Sequence, residues 1–319
     1  MINKLSNKTL IVIFAVLLAV VVIYMIYDSS HGERSFRNEL VSIDTAKVTS
    51  INIYPKITHH KEVNLYKEGN YWKVKLDNGQ NASVPQSKIK QLLSGLLRLQ
   101  PIGVAAQSKD KWKEFQVDSS GTEIEVYEGS NKTADITLGK FTYHRPNNMM
   151  TYVKVGGDDN VYEVLGFVNF EFNHAANYFR DGHVIKDNNK NWSKLSFAYP
   201  GDSSFVLAKV KNKWQLNGSK VDSAAVAGFL NSISNITDQN FIDNPPQSIL
   251  SKAKYTLTIQ SSSVGGITVT AFSNDSDIII TSSQYPDTYF NGKKNNFWNR
   301  IFVGKSKFYK IKKTGRRKV

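Results

Sequence analysis

Two stretches of the chain repeat one pattern, and this repetition limits the folds open to it. QSKIKQLLSGLLRL and SAAVAGFLNSI each carry an apolar stripe at positions i, i+3, i+4 and i+7, and matching positions lie 137 residues apart. The stripes are Ile89, Leu92, Leu93 and Leu96 in the first stretch and Val226, Phe229, Leu230 and Ile233 in the second. This spacing predicts an amphipathic helix. The sequence therefore predicts one such helix in each of two related segments.

Other features recur in the same order and mark the two copies. They are Phe36, Arg37 and Trp72 in the first copy and Phe179, Arg180 and Trp214 in the second. The tryptophans lie in EVNLYKEGNYWKVKL and FVLAKVKNKWQL, which predict β-hairpins. Ahead of the hairpins, apolar residues alternate with polar ones at Ile51 and Ile53 and again at Leu195 and Phe197, as in half-buried strands. We interpret the pattern as an internal duplication.

The predicted fold is α+β, with two tandem repeats of an antiparallel sheet and a short amphipathic helix. Each copy predicts a strand, a hairpin, a helix and two further hairpins, over residues 36–178 and 179–304. Ser83 and Gln86 suggest a capping box at the start of the first helix. The aromatic run FVNFEFNHAANYF is expected to form a helix that leads into the second copy.

One transmembrane helix is predicted ahead of the repeats. Residues 10–27, LIVIFAVLLAVVVIYMIY, carry no charge and approach the length that spans a bilayer. A cleaved signal peptide is the alternative, but the stretch is long for one and YDSSHGE offers no A-x-A-like cleavage site. Basic residues precede the span, so we expect residues 1–9 in the cytoplasm and the rest, from the linker 28–35 onward, in the periplasm. The predicted location is the bacterial inner membrane, with a single pass.

The net charge of +14 is concentrated at the end of the chain. Residues 305–319 contain eight basic and no acidic residues, whereas the body of the chain is only mildly basic. This basic tail is a candidate for contact with an anionic surface through Lys310, Lys312, Lys313, Arg316 and Arg317. A solubilising end without a partner is the alternative. Nucleic acid is not an expected partner outside the cytoplasm.

The sequence identifies no catalytic, cofactor-binding or metal-binding residue. Cysteine is absent, and the chain has no G-x-S-x-G, Walker or H-E-x-x-H motif. His59 and His60, with Glu62, suggest a metal site only weakly, because adjacent strand residues point to opposite sides. His144 and His174 are single histidines, interpreted as structural or exposed.

Two acidic pairs invite comparison with glycosidases, which use two carboxylates. Asp158 and Asp159 lie in a predicted turn, where aspartate is favoured by the backbone. Glu123 and Glu125 lie on the outward side of an alternating strand. We assign neither pair an acid–base role.

Arg37 and Arg180 are the polar residues of greatest interest. Each would either bind a carboxylate of a partner or pair with an acid of its own repeat, and recurrence in both copies favours the second role. Trp72 and Trp214 are likewise expected to pack in the core rather than to stack on a ligand.

The anchor, FRNELVSIDTAKVTSINI, the tryptophan hairpin and the leucine-rich helix together resemble the bacterial domain-of-unknown-function family DUF 4340, from residue 36 to about 309. The resemblance implies a membrane-anchored, uncharacterised protein that accompanies ABC-type transport or gliding-motility components. The chain departs from the family pattern at Ser261 to Gly266, where the expected strand is loosened, and in its basic tail.

Two functions follow as hypotheses. The first is a non-catalytic, membrane-anchored accessory or scaffold protein that contacts an envelope transport or motility complex, with ABC-type transporter components among its partners. The alternative is a module that binds envelope glycan or lipid, or an unrecognised hydrolase of such material. The sequence predicts no cofactor and does not identify a small-molecule ligand.

Overall fold

The computed structural model describes residues 13–23, 37–144, 148–251, 253–274 and 276–309. The chain forms two compact units, Met1–Phe179 and Arg180–Val319. Antiparallel sheets dominate both units and only a few short helices accompany them. The α+β class predicted from the sequence is confirmed at this level.

The first helix, α1, covers residues 13–23. Within the ranges that the structure describes, no helix has both the length and the apolar character needed to cross a membrane. Positions 10–12 and 24–27 of the predicted anchor lie outside the described residues, and so does Phe36.

The first unit contains one sheet of nine strands. They are β1 Val48–Tyr54, β2 Val63–Glu68, β3 Tyr71–Lys75, β4 Asn81–Val84, β5 Pro101–Ala106, β6 Thr122–Glu128, β7 Asn131–His144, β8 Asn148–Val155 and β9 Val161–Leu165. Their order across the sheet is β4-β3-β2-β1-β6-β7-β8-β9-β5. Two helices accompany the sheet, α2 Gln86–Leu97 and α3 Trp112–Phe115.

The core of the first unit lies between the sheet and α2. Alternation along β1 buries Ile51 and Ile53, which pair with Leu65 and Val63 of β2. The stripe of α2 is buried in the same core, as its spacing predicts: Ile89, Leu92, Leu93 and Leu96. Burial of each such side chain contributes roughly 1.5–3 kcal/mol, so this stripe holds the helix to the sheet.

The second unit contains a sheet of eight strands and a separate pair. The strands of the unit are β10 His183–Lys186, β11 Trp192–Ala198, β12 Phe205–Val210, β13 Lys213–Leu216, β14 Ser219–Lys220, β15 Asn235–Thr237, β16 Ala253–Ser261, β17 Gly265–Ser273, β18 Ile278–Ser282 and β19 Tyr285–Asn291. The large sheet has the order β14-β13-β12-β11-β16-β17-β18-β19, and β10 pairs with β15. The helices are α4 Ser223–Ile233, α5 Gln247–Leu250 and α6 Phe297–Ile301.

The two large sheets share their strand order over eight positions. In each, the first strand of the unit's sheet is central, a hairpin flanks it on one side, and a helix follows the short edge strand. The cross-strand register is also shared, because Leu195 and Phe197 of β11 pair with Leu207 and Phe205 of β12, just as Ile51 and Ile53 pair in the first unit. The short strands β4, β5, β14 and β15 are not predicted by the sequence analysis.

The predicted capping box at the start of α2 is wrong. Ser83 belongs to β4 and pairs with Lys73, so strand pairing fixes its position. Pro85 is the N-cap residue, and no side chain caps the helix. Proline has no backbone N–H to satisfy and its φ is fixed, which suits it to the start of a helix.

The helix predicted for FVNFEFNHAANYF is also wrong. The segment forms two short 3₁₀ turns, Val168–Glu171 and Ala176–Phe179. Tertiary contacts decide its shape, because Phe172 is buried in the core and the side chain of Asn173 accepts a hydrogen bond from the N–H of Ile57 at 2.8 Å. A continuous helix would place these residues by its own period rather than by their separate partners.

The loosened strand expected at Ser261 to Gly266 is a regular hairpin instead. Ser261 pairs with Gly265 and Gln260 with Gly266, so both strands remain in register up to the turn. Gly265 adopts a φ of +76°, a conformation that glycine supplies at little cost.

Residues at the start of the predicted basic tail belong to the second core. Lys305–Phe308 forms a 3₁₀ turn, and the ring of Phe308 is buried 5.4 Å from that of Phe229. The N–H of Asp222 donates to the carbonyl of Phe308 at 2.8 Å. The five tail residues proposed to meet an anionic surface lie outside the described residues.

Candidate functional site: an exposed aromatic surface

Both arginines singled out by the repetition take part in ion pairs within their own unit. Arg37 Nε lies 3.3 Å from Asp158 Oδ2, and its side chain is half exposed. Arg180 is buried, with Nη1 2.5 Å from Asp243 Oδ1 and its guanidinium 3.9 Å from the ring centre of Phe241. Each arginine therefore has a local structural role.

The repeated aromatic residues that the structure describes lie in or beside the cores. Trp72 and Phe179 are buried in the first core, and Trp214 is half-buried at the edge of the second. Lys67 faces Trp72 across its hairpin, and Lys209 faces Trp214 in the same way. Core packing accounts for these side chains.

The histidines whose side chains the structure describes do not form a shared site. His59 and His60 both adopt positive φ in a turn, and His60 Nε2 is 2.7 Å from the carbonyl oxygen of Gly121. The ring of His174 stacks on Tyr178 at 3.6 Å. The sequence analysis missed His183, whose ring hydrogen-bonds to Asp181 and stacks on Tyr285.

Three carboxylates meet on the outer face of β6 and β7. Oxygen atoms of Glu123, Glu125 and Asp135 lie within 4.8 Å of one another. The Nζ of Lys132 donates to Asp135 at 2.7 Å and to Glu125 at 2.9 Å, and these bonds raise the pKa of Lys132. Burial, together with the charges of Asp135 and Glu125, raises the pKa of Glu123. Lys132 balances much of the acidic charge, so the cluster is accounted for as an ion-pair network.

The most distinctive surface lies where β7 and β8 extend beyond the core. Tyr143 pairs with Met149 and Phe141 with Thr151 along this extension. Five large apolar side chains, between 41% and 58% exposed, gather there. We call them the arm surface: Phe141, Tyr143, Met149, Phe167 and Phe170.

Close backbone packing and a β-bulge determine where the arm surface lies on the first unit. The register of β7 against β8 shifts between Leu138 and Phe141. A Cβ on Gly139 would lie 2.3 Å from the carbonyl oxygen of Phe115, so only glycine lets β7 pass this point. Beyond it the strand carries Phe141 clear of the core.

Hydrogen bonds hold the segment after β9 against the arm. Thr151 Oγ1 donates to the carbonyl of Gly166 at 2.7 Å, and Asn169 Nδ2 donates to the carbonyl of Gly139 at 2.6 Å. The rings of Phe141 and Phe167 then meet edge to face at 4.8 Å, and Phe170 lies beside Phe167 at 6.4 Å. The ring of Phe167 thus contacts those of Phe141 and Phe170 while all three stay exposed.

The corresponding hairpin of the second unit carries no such surface in its described part. Its strands β17 and β18 are shorter than β7 and β8. Among the described residues of that unit, the large apolar side chains that are strongly exposed are Val210, Val264 and Tyr309, and none lies on these strands. A contiguous patch of exposed aromatic residues marks an interaction surface more often than scattered ones do.

Sequence reasoning missed the arm surface. The alternation of Phe141 and Tyr143 with Thr142 is the available signal, because it continues the strand pattern past Gly139. Alternation alone predicts burial of one face, and only the structure shows that the core ends first.

The comparisons with known proteins give one match. A family model described as Domain of unknown function (DUF4340) matches residues 72–258, more than half of the 319 residues. No curated protein matches the chain. No solved structure matches it either.

Proposed function

The chain belongs to the DUF4340 family of domains of unknown function, and from this premise we propose that it is a non-catalytic accessory or scaffold protein of the bacterial envelope. In this proposal residues 10–27 anchor it in the inner membrane, and the two units lie in the periplasm. Its partners are other envelope proteins, with ABC-type transporter components as the candidates that the family resemblance implies.

We further propose that the two units are tandem repeats that arose by duplication. Three features support this origin: the shared strand order, the shared register of the central strand and the 137-residue spacing of the helical stripes.

The arm surface carries the proposed role in protein binding. Aromatic residues dominate the energetics of protein interfaces, since they bury a large apolar area with few rotatable bonds. Phe167 contacts Phe141 and Phe170 before binding, so part of the conformational entropy of these rings is lost before a partner covers them.

The competing hypothesis is a module that binds envelope lipid or glycan. Exposed aromatic rings also enter lipid interfaces or stack on sugars, so the arm surface alone does not separate the two ideas. Identification of what covers Phe141 and Phe170 in the cell separates them.

The test is site-specific photo-crosslinking in the native host. The photoreactive residue p-benzoylphenylalanine replaces Phe141 or Phe170 in the full-length protein, and Tyr71 serves as the control position. Tyr71 is a matched control because it is an aromatic residue of the same unit, exposed to 75%, outside the arm surface.

We expect both arm positions to crosslink to the same membrane or periplasmic protein, identified by mass spectrometry, and the control position to miss it. Crosslinks from the arm to lipid or glycan alone would reject the protein-binding role in favour of the alternative. Equal labelling from Tyr71 would show that the arm surface is not the contact.

A further inference from the structure

A groove of about 420 Å³ opens in the first unit between α2, the β2–β3 hairpin and the turn before β1. Its lining is apolar at the base and basic at the rim. The buried apolar side chains of the lining are those of Val48, Trp72, Ile89 and Leu93. Lys67 and Lys90, both exposed, contribute the positive charge.

The register of the two sheets identifies Trp192 as the counterpart of Val48. Each is the first residue of the central strand and is buried. Each also stands just before a bulge in the pairing with the next strand, between Val48 and Ser50 in β1 and between Trp192 and Lys194 in β11.

In the second unit the residue at this position carries an indole, which is buried in the same core cluster as the apolar stripe of α4. The side chain of Trp192 is 1% exposed, and its Nε1 donates to Asp187 Oδ2 at 2.7 Å. The turn before the strand is closed onto α4 by a hydrogen bond from Asn189 Nδ2 to Asn231 Oδ1 at 2.6 Å. Asn231 lies 137 residues after Ser94, which lines the groove of the first unit.

In the first unit a valine occupies the position that corresponds to Trp192. Val48 lacks the bicyclic ring of Trp192, and it is among the residues that line the groove. The second unit thus buries an aromatic ring at the start of its central strand, in the core that also contains the stripe of the helix.

The two lysines at the rim of the groove indicate which charge the partner segment carries. Lys67 and Lys90 favour a carboxylate beside the inserted ring, because opposite charges at a rim steer association. The chain's own C-terminal tail is strongly basic and is disfavoured as the occupant for the same reason. An acidic segment with one aromatic residue fits both the base and the rim.

We propose that this groove binds an aromatic side chain, with tryptophan the best fit, from an acidic segment of a partner protein. The inference rests on the proposed role in protein binding and gives that role a second, defined contact. The occupant supplies the ring that Trp192 supplies internally in the other unit.

The test measures fluorescence anisotropy of labelled peptides with the purified full-length chain. The probe is a short peptide with one tryptophan flanked by aspartates. One control peptide replaces the tryptophan with alanine, and another replaces the aspartates with lysines. We expect saturable binding of the probe and affinities at least about tenfold lower for both controls, as for loss of a buried aromatic anchor or of complementary charge.

Two matched variants locate the binding site. Ser94→Trp places a bulky ring at the mouth of the groove, whereas Gln91→Trp makes the same change at another exposed position of α2 that is not in its lining. We expect Ser94→Trp to weaken probe binding by at least about tenfold and Gln91→Trp to leave it within about twofold. Both changes are on an exposed part of the helix, so the fold should be retained.

Equal affinity for the alanine peptide, or an unchanged affinity in Ser94→Trp, would overturn the groove proposal. Absence of saturable binding would overturn it as well. None of these results affects the arm crosslinks, so a failure here is distinguishable from a failure of the proposed function. Arm crosslinks that persist in Ser94→Trp cells would show that the arm and the groove are separate contacts.

Discussion

The indole N–H of Trp192 donates to the carboxylate of Asp187 over 2.7 Å, five residues earlier in the chain. The same carboxylate accepts hydrogen bonds from the hydroxyl groups of Ser261 at 2.6 Å and Ser263 at 2.7 Å. One side chain thus ties the start of the central strand to the β16–β17 hairpin. Asp44, the aspartate before the central strand of the first unit, is more exposed and pairs with Lys47 at 3.2 Å.

Replacement of Asp187 by alanine is expected to destabilise the protein. The buried indole N–H of Trp192 would lose its acceptor, and an unsatisfied buried donor costs about 1–3 kcal/mol. Urea unfolding followed by circular dichroism measures the change. Asp44→Ala is the matched control, and an equal loss there would contradict the role given to Asp187.

The stability contributed by Asp187 is expected to depend on pH. Burial raises the pKa of Asp187, but hydrogen bonds from Ser261, Ser263 and Trp192 outweigh it, so the pKa lies below its ordinary value of 3.8. A lowered folded-state pKa means that the stabilisation is complete above about pH 4 and is lost as pH falls below that value. Urea midpoints between pH 7 and pH 3 should fall less steeply in Asp187→Asn than in the natural protein. Parallel curves for the two proteins would refute this account.

Two neighbouring phenylalanines are expected to respond very differently to truncation. Phe170 belongs to the arm surface and is 58% exposed, whereas Phe172 is completely buried beside Gly95. Phe172→Ala should cost about 3–5 kcal/mol, because it leaves a cavity in the core. Phe170→Ala should change stability by about 0.5 kcal/mol or less, as is usual for surface positions. Thermal and urea unfolding measure both, and a large loss in Phe170→Ala would show that the arm surface serves stability.

Two glycine-to-alanine changes are expected to change the stability of the protein in opposite directions. A Cβ at Gly139 would lie 2.3 Å from the backbone oxygen of Phe115, so Gly139→Ala must displace β7 or its neighbour. Gly228 lies within α4, is exposed and has open space around it. Alanine at that position should stabilise the helix by about 0.5–1 kcal/mol. Comparison of the unfolding midpoints checks both signs, and a Gly139→Ala protein as stable as the natural one would remove the reason given for glycine there.

Local sequence patterns predict the helices and strands in which burial of the side chains follows a regular period. The stripe of Ile89 and its partners and the alternation of Ile51 and Ile53 give the helix and the central strand, because burial follows the period of each element. The residues around Phe172 were predicted as a helix because the sequence does not show the separate tertiary contacts that hold them. Strand β4 was missed because four residues carry too little pattern to identify.

The candidate sites were harder to predict than the fold. The arm surface depends on where the core ends beneath Phe141, and the groove is lined by Val48 at the position where the second unit has Trp192. Both features depend on the space that the folded chain leaves unfilled. A local sequence pattern does not show this space. The second unit supplies part of the missing information, because the strand pairing identifies Trp192 as the residue to compare with Val48.

Strand β7 continues past Gly139. Close packing and surface exposure, which usually compete within one sheet, are thereby assigned to different parts of the strand. Residues before the glycine are constrained by close packing, whereas those beyond it are free of that constraint. Natural selection can therefore change the tip of this hairpin, which carries part of the proposed binding surface, while the interior is inherited unchanged. Relatives with the same interior are expected to diverge first at that tip.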